Sequence, residues 1–255
     1  MRELASNFSA IPFRQNGASK LRAKPLSFVE IPPGTFTFGG SQLDRFVTRT
    51  ELPAKEVEVT QRIAMGQAPV TVGEWQEFRS LRHYDANQSR MPVVGVSWHD
   101  ANDYAAWLSE KTGSPCRLPT EVEWEYSARG GGSSLFPHGL NTISEEDANY
   151  LYDERGVEVG KGVLMEPACY PPNCFGLFDM SGNVCEWTAS PWSKDLSDCS
   201  VPQEGKRVIR GGAWDQLPRT LRCSWRDWAM EDSRWDNLGF RVVIELGGND
   251  ECSFV

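Results

Sequence analysis

The sequence lacks the long apolar segments that mark membrane and secretory proteins. No run of about 18 apolar residues occurs, so no membrane span is predicted. The N-terminal stretch MRELASNFSAIPFRQNGASKLRAKP has no apolar signal-peptide core. We therefore expect a soluble protein of bacterial type, either cytoplasmic or periplasmic.

Histidine is scarce, and the cysteines are not spaced as zinc ligands. The chain has three His, at positions 83, 99 and 138, in unrelated segments. Its seven Cys are an odd number, so at least one is unpaired or pairs outside the chain, and no CxxC occurs. Zinc sites are typically built from such close pairs, and we expect no zinc.

Basic residues are outnumbered by acidic ones. The chain has 26 Lys and Arg against 35 Asp and Glu, a net charge of −9. Because phosphate contacts need basic surface, we expect no general nucleic-acid binding. What the sequence does contain is 10 Trp and 23 Gly, which favour a loop-rich fold with an aromatic core.

Three segments predict helices: 69–82, 97–113 and 117–132. In the first and third, Thr71 and Thr120 are each followed by Glu three residues later, a capping box. In the second, Ser97 or Asp100 is the N-cap, and Gly113 ends the helix. A strand pattern is predicted at 28–40, broken by a tight Pro-Pro-Gly turn, and further strands at 56–66, 183–190, 207–212 and 239–245. Residues 130–182 show little periodic pattern.

Long motifs, in order along the chain, resemble the formylglycine-generating enzyme (sulfatase-modifying factor) family. They are IPPGTFTFGG, PVVGVSWHDANDYAAWLSEKTG, RLPTEVEWEYSARGG, FGLFDMSGNVCEW, RVIRGGAW and DNLGFRVV. The resemblance implies a single α+β domain of the C-type-lectin-like fold, with a few short helices around small antiparallel sheets. We assign residues 25–247 to this domain, 1–24 to a flexible N-terminal arm and 248–255 to a C-terminal tail.

The resemblance also implies where the copper-dependent oxidases of this family carry their chemistry. They hold copper with two thiolates shortly after the RGG motif, and a serine follows that motif directly. Here Ala213 follows Arg210-Gly211-Gly212, and no cysteine occurs before Cys223. The iron-dependent sulfoxide synthases of the family take their iron-binding His from an additional helical domain, whereas the three His here lie in unrelated segments. We expect neither copper nor iron.

The resemblance implies roles for the positions that two of the cysteines occupy. Cys223 falls where the oxidases place a disulfide cysteine, and Ala128 stands at the usual partner position. Cys223 is therefore a buried core residue, a differently paired half-cystine or a reactive thiol. Cys185 replaces a tryptophan of the family site, and is a smaller core residue, a reactive thiol or a partner of Cys169 or Cys174.

Calcium is the cofactor that the resemblance implies, because hard cations take oxygen ligands. One site would use two side chains and two backbone carbonyls: Asp179 and Glu186, with Gly182 and Val184. Alternatively, Asp179 and Glu186 satisfy backbone N–H groups in a tight turn. A second site would use Asn149 and the Tyr150 carbonyl, but its downstream Asp has no counterpart beyond Glu158 nearby.

The arginines of the C-terminal segment are interpreted as scaffold. By resemblance the recurring positions are Arg210, Arg222, Arg226, Arg234 and Arg241. Planar guanidinium groups can tie loops to the core by holding carboxylates and carbonyls. The natural partners by sequence are Asp232, Asp236 and Glu125.

The positions between these arginines are the candidate ligand-binding face. They are Trp214, Asp215, Gln216, Leu217, Thr220, Trp225, Asp227, Trp228, Met230 and Trp235. Aromatic residues are enriched in binding hot spots. We expect at least two of Trp225, Trp228 and Trp235 to be exposed, the alternative being that all three are core.

These observations favour a non-catalytic binding or regulatory module that recognises a protein partner, for example in a secretion or signalling system. One alternative is a metal-dependent oxidoreductase with a rebuilt site, for which Cys185, Cys223 and His138 are the conceivable ligands. Another is a retroelement-type variable receptor. Adenine-directed mutagenesis of Asn codons does not yield Trp, Gln, Met or Glu, which disfavours this last reading.

Overall fold

Three short helices begin at the residues that the capping boxes predict. The computed structural model describes residues 11–12, 26–80, 86–196 and 202–247. The helices are α1 (Val72–Phe78), α2 (Trp98–Thr112) and α3 (Glu121–Arg129). Thr71, Ser97 and Thr120 are their N-caps, each accepting a hydrogen bond from the backbone of the third helical residue. Ser97 rather than Asp100 is therefore the cap of α2, and Gly113 ends that helix with a left-handed φ of 74°.

Two small sheets and a hairpin complete the regular structure. The strands are β1 (Ile11–Pro12), β2 (Ser27–Ile31), β3 (Gly34–Phe38), β4 (Lys55–Val59), β5 (Ile63–Gly66), β6 (Cys116–Arg117), β7 (Cys185–Pro191), β8 (Lys206–Arg210), β9 (Asp227–Met230), β10 (Leu238–Phe240) and β11 (Val243–Glu245). One sheet has the antiparallel order β1-β2-β5-β11-β6, and the other has the order β10-β7-β8-β9. Strands β3 and β4 form a separate hairpin. This mixed architecture confirms the predicted α+β class.

Two segments predicted as single strands are each divided in the structure. Residues 56–66 are split between β4 and β5, which belong to different sheets. Residues 239–245 are split between β10, which pairs in parallel with β7, and β11, which pairs with β5. The second break lies at Arg241, whose side chain turns into the core instead of continuing a strand.

The core lies between the two sheets and the helices. One cluster packs α1 and α2 against β10, with Trp75 and Tyr104 stacked at 5.7 Å and Phe240 at their edges. A second cluster surrounds Trp124 of α3. Residues 130–182, all of them described, contain no helix or strand longer than a single bridge, as their sequence predicts.

The predicted chain ends are described only in part. Within the predicted arm, Ile11 and Pro12 pair with Phe28 and Ser27, and the rest of residues 1–24 lies outside the described residues. The predicted tail 248–255 also lies outside them. Among the described helices none has the length and apolarity to cross a bilayer.

Candidate binding face

Buried arginines tie the C-terminal segment to distant parts of the chain. Each of four is buried and donates to a buried carboxylate: Arg210 to Glu125, Arg222 to Asp44 and Glu51, Arg226 to Glu121, and Arg241 to Glu186. These pairs join strand β8, the loop before β9 and the residue that follows β10 to helix α3, to the loop before β4 and to strand β7. The segment therefore rests on a cross-linked polar scaffold.

Most of the partner carboxylates differ from those predicted by sequence. Glu125 is a partner of Arg210, but Asp232 and Asp236 are exposed and pair with none of the buried arginines. Asp232 lies 3.8 Å from the His99 ring instead. The carboxylates that replace them are more than a hundred residues away from Arg222 and Arg226 in the chain, so local sequence does not indicate them.

Glu51 is a buried carboxylate whose pKa depends on its pairing with Arg222. Burial alone would raise the pKa of the Glu51 carboxyl, but the Arg222 guanidinium at 2.8 Å and the Ser224 hydroxyl at 2.7 Å lower it below its usual range. A fully buried carboxylate is tolerated when its oxygens are paired in this way. Glu51 is therefore held ionised by Arg222.

A tight turn follows β8 at the positions where, by resemblance, the oxidases of the family carry their active-site residues. Gly212 has a φ of 69°, and a Cβ there would lie 2.8 Å from both the Thr220 carbonyl oxygen and a Leu221 methyl. Ala213, at the serine position, is fully buried and has no hydroxyl. The tight turn therefore forms with alanine at the serine position.

Cys185 lies beside this turn as a protonated thiol. The Gln216 side-chain amide is 3.9 Å from its Sγ. Burial, together with Asp215 and Asp227, raises the pKa of the Cys185 thiol well above its usual range. Because thiolates are the nucleophilic and metal-binding form, this burial disfavours reaction and metal binding at Cys185, which packs in the core.

Cys223 and His138 lie apart from Cys185. Cys223 is free and fully buried, burial raises the pKa of its thiol to about 12, and it belongs to the core cluster around Trp124. Cys185 belongs to the cluster of α1 and α2. The His138 ring contacts the Pro171 carbonyl at 2.7 Å. Within the described residues, no three His, Cys, Asp or Glu side chains are grouped to hold a metal ion.

The tryptophans of the predicted face are less exposed than the sequence suggested. Trp235 is exposed, at 42%, and Met230 is exposed at 46%. Trp225 is half-buried against the core, and Trp228 is half-buried with the Lys206 ammonium 3.4 Å from its ring centroid. The expectation of at least two exposed tryptophans was therefore wrong, because contacts to the core and to Lys206 cover Trp225 and Trp228. None of the three is fully buried either.

The remaining face residues fall into two groups. In the first group polar atoms are tied internally: Asp215 accepts from Asn237 at 3.0 Å, the Gln216 carbonyl accepts from Leu151 and Tyr152, and Thr220 donates to the Leu217 carbonyl. Trp214 is half-buried, and its indole nitrogen has no hydrogen-bond partner among the described residues. The second group, residues 227–236, contains β9 and the exposed Met230 and Trp235. We call residues 227–236 the open face.

A hairpin that sequence reasoning missed borders the first group. Residues 151–159 fold back on themselves through a bridge between Tyr152 and Glu158, and Gln216 anchors the hairpin at its base. Val157 and Val159 on it are exposed, at 52% and 38%. The alternating valines of GVEVG were the available signal.

The turn predicted to bind calcium offers one carboxylate with spare acceptor positions. Asp179 adopts a φ of 53°, its carboxyl is buried, and one oxygen accepts from the Ala168 backbone at 2.8 Å. Burial raises the pKa of Asp179 to about 6. Glu186 already accepts from Arg241 at 2.7 Å and from the Trp124 indole at 2.9 Å. Asp179 thus fits a hard cation, whereas Glu186 would share its oxygens with Arg241. Calcium here stays a prediction.

One of the carbonyls named for this turn already accepts a hydrogen bond. The Gly182 carbonyl accepts from the Val184 backbone at 2.9 Å. At the second predicted site, Asn149 is buried, its amide nitrogen donates to Asn183 and to the Val163 carbonyl, and its oxygen has no partner among the described residues. That oxygen is free to ligate a cation, as the prediction of a second site requires. Glu158 is exposed on the hairpin.

Similarity to known proteins matches this architecture. The 37% identity to the serine/threonine-protein kinase pkn1 of Chlamydia pneumoniae covers 62% of this chain and 25% of that protein. The formylglycine-generating enzyme of Mus musculus is 33% identical over 69% of this chain and 50% of its own length. The inactive C-alpha-formylglycine-generating enzyme 2 of Bos taurus is 31% identical over 82% of this chain and 68% of its own. The chain thus spans a quarter to a half of the first two relatives.

A solved structure agrees over most of both chains. PvdO from Pseudomonas aeruginosa superposes with a TM-score of 0.76 at 31% identity, covering 87% of this chain and 95% of the other. The sequence profile of the sulfatase-modifying factor enzyme 1-like domain matches residues 15–246. This chain belongs to the family of sulfatase-modifying factor enzyme 1-like domains.

Proposed function

We propose that this chain is a non-catalytic binding or regulatory module that recognises a protein partner through the open face. The observation that carries the proposal is the exposure of Met230, the last residue of β9, and of Trp235, on a segment anchored at both ends by the buried Arg226 and Arg241. Exposed apolar side chains on a rigid support are typical of binding hot spots. A place in a secretion or signalling system fits such a module.

The residues at the oxidase positions support a non-catalytic role. Ala213 has no hydroxyl, no thiolate pair follows the RGG motif, and Cys185 is a buried, protonated thiol. One relative is itself named an inactive enzyme. Another is named a protein kinase and matches over only a quarter of its length, which supports a domain that serves a larger protein.

The rebuilt metal oxidoreductase receives no support from the arrangement of its conceivable ligands. Cys185 and Cys223 lie in different core clusters, and His138 is engaged by a backbone carbonyl. A redox metal needs ligands that converge on one point. The binding module is therefore the better reading.

Calcium has a structural place in this proposal. The cation would bind Asp179 and the carbonyls of the 179–186 turn, from which β7 begins. Neutralising the buried Asp179 carboxylate would stabilise the turn beside the RGG segment. Its role would be to stabilise the scaffold, with no part in a reaction.

Affinity capture with variants of the open face tests the proposal. The tagged chain is used to capture partners from a lysate of its source, and the specific band is compared for Met230→Ala/Trp235→Ala and for Trp107→Ala. Trp107 is a half-buried tryptophan on α2 that packs against Phe78 and Tyr104, so it controls for the general loss of an indole. Loss of capture in the first variant alone is expected. Capture by Met230→Ala/Trp235→Ala as strong as that by Trp107→Ala and by the unmodified chain would show that the open face is not the site.

A further inference from the structure

A cavity of about 460 Å³ lies beside the hairpin and outside the open face. It is bounded by residues 43–46, 135–143, 150–154 and 218–222. Its walls are largely apolar, from Phe46, Leu135, Phe136, Ile143 and Tyr150, and Leu43 on its rim is 96% exposed. Cavities of this size and character accommodate small ligands.

Among the residues that line this cavity, Glu154 has one carboxylate oxygen without a hydrogen-bond donor. Glu154 Oε1 accepts from the Arg219 backbone at 2.8 Å. Glu154 Oε2 is buried and accepts no hydrogen bond from any described residue. The Arg219 Nε lies 3.8 Å from it, too far for a hydrogen bond. A buried acceptor left in this way is costly, and a ligand carrying N–H donors would satisfy it.

The charges around this side of the cavity favour a cation. Burial, followed by the nearby carboxylates Glu145, Asp147, Asp153 and Glu154, raises the pKa of Tyr150 to about 12. Of these four carboxylates, two have an arginine ion-pair partner in the described residues: Asp153 with Arg155, and Glu154 with Arg219. The surroundings of Tyr150 on this side of the cavity are therefore net negative, and Glu145 and Asp147 contribute to that charge from outside the cavity lining.

The opposite rim carries a cation that would oppose such a ligand. Arg45 is exposed and stacks over Phe46 at 4.4 Å, and no described carboxylate forms an ion pair with it. Arg222 is neutralised in the scaffold by Asp44 and Glu51. The two sides of the cavity therefore predict opposite effects of mutation on the binding of a cation.

We propose that this cavity binds a primary alkylammonium group, either on a free diamine or on a lysine side chain. The ammonium donates to Glu154 Oε2, and the alkyl chain packs against Leu135, Phe136 and Ile143. Amphipathic amines bury their methylene chain on apolar walls and keep the charged head at a polar group. This inference goes beyond the proposed function and does not depend on the open face.

Methyl NMR of the full chain tests the cavity directly. The probes are 1,5-diaminopentane, the capped peptide Ac-Gly-Lys-Gly-NH2 and the same peptide with acetylated lysine, titrated while the Leu135 and Ile143 methyl shifts are followed. At least one amine should shift these methyls saturably, and the acetylated peptide should not. Glu154→Gln, which keeps the shape and the Oε1 acceptor, should weaken binding about tenfold, because it removes a charge-assisted bond.

Arg45→Gln should strengthen amine binding, because it removes the opposing charge. Glu110→Gln and Lys194→Gln are matched controls: both residues are exposed and outside the cavity, and each variant should bind within about twofold of the unmodified chain. Binding of the diamine alone identifies a free amine as the ligand, and binding of the lysine peptide identifies a protein segment.

The proposal is overturned if no amine shifts these methyls, if the acetylated peptide binds as well as the amines, or if Glu154→Gln binds amines unchanged. It is also overturned if Arg45→Gln weakens binding. Any of these results leaves partner capture by Met230 and Trp235 intact, because those residues lie outside the cavity. Failure of this proposal is therefore separable from failure of the proposed function.

Discussion

Replacing Arg222 with Met should strongly destabilise the fold, because it removes the cation from a buried cluster. Arg222 donates to Asp44 at 2.7 Å and to Glu51 at 2.8 Å, and also to the carbonyls of Phe46 and Arg219. Methionine fills much of the volume but leaves both carboxylates unpaired. Since both carboxylates are buried, the expected loss of stability comes from their unpaired charge.

The expected magnitude follows from the burial of this cluster. Removing one partner of a buried ion pair costs about 3–5 kcal/mol. For a chain of this size, that loss corresponds to a fall in Tm of roughly 6–20 °C. Burial would then raise the pKa of Glu51 in the variant, because the guanidinium that lowers it is gone.

The pH dependence gives the prediction a second readout. In the unmodified chain the pKa of Glu51 is lowered, so its contribution to stability is present above the unfolded pKa and is lost as the pH falls through the folded pKa. In the variant, protonation of Glu51 instead relieves the unpaired charge. The difference in the free energy of unfolding between the two proteins should therefore shrink from about pH 7 to about pH 4.

Urea denaturation at several pH values measures this difference. Arg62→Met is the matched control, because Arg62 and its partner Glu30 are both substantially exposed, and it should cost less than about 1 kcal/mol. A loss for Arg222→Met as small as that of the control, or one independent of pH, would refute the assignment of Arg222 as a scaffold residue.

Two further predictions concern Asp179 and the cysteines. Calcium should raise the Tm above pH 6, and the effect should fade as the pH drops through the pKa of Asp179, about 6, because the ionised carboxylate is the ligand. Asp179→Asn should abolish the calcium effect. Without calcium, the same substitution should stabilise the fold above that pH, because the raised pKa of Asp179 makes its ionisation unfavourable in the folded state. A calcium effect on thermal unfolding that is equal at low and high pH would contradict Asp179 as the ligand. Iodoacetamide should label exposed Cys169 and Cys174 in the folded protein while leaving Cys185 and Cys223 unmodified, and peptide mass spectrometry showing Cys185 labelled as fast as Cys169 would contradict its burial.

The helices could be predicted from sequence because their signals are local. The pairs Thr71–Glu74 and Thr120–Glu123 lie three residues apart, and each forms the predicted capping box. The strands at 56–66 and 239–245 were placed correctly but not divided, because a change of sheet depends on tertiary pairing. The irregular segment 130–182 could be predicted because it lacks periodicity.

The ion-pair partners in the scaffold and the exposure of the open face could not be predicted from the sequence. Buried arginines were indicated by motif, but the partners of Arg222 and Arg226 come from loops and helices far along the chain. Exposure of Trp225 and Trp228 was overestimated, because composition does not reveal contacts with the core or with Lys206. The cavity at Glu154 joins four separate segments, and no local pattern indicates it.

Hydrogen–deuterium exchange of the captured complex tests the central claim most directly. Exchange is compared between the free chain and the chain bound to its captured partner, peptide by peptide. We predict protection concentrated at residues 227–236, around Met230 and Trp235, with the buried scaffold around Arg210 unchanged. Protection confined to other segments, with residues 227–236 exchanging as in the free chain, would contradict recognition through the open face.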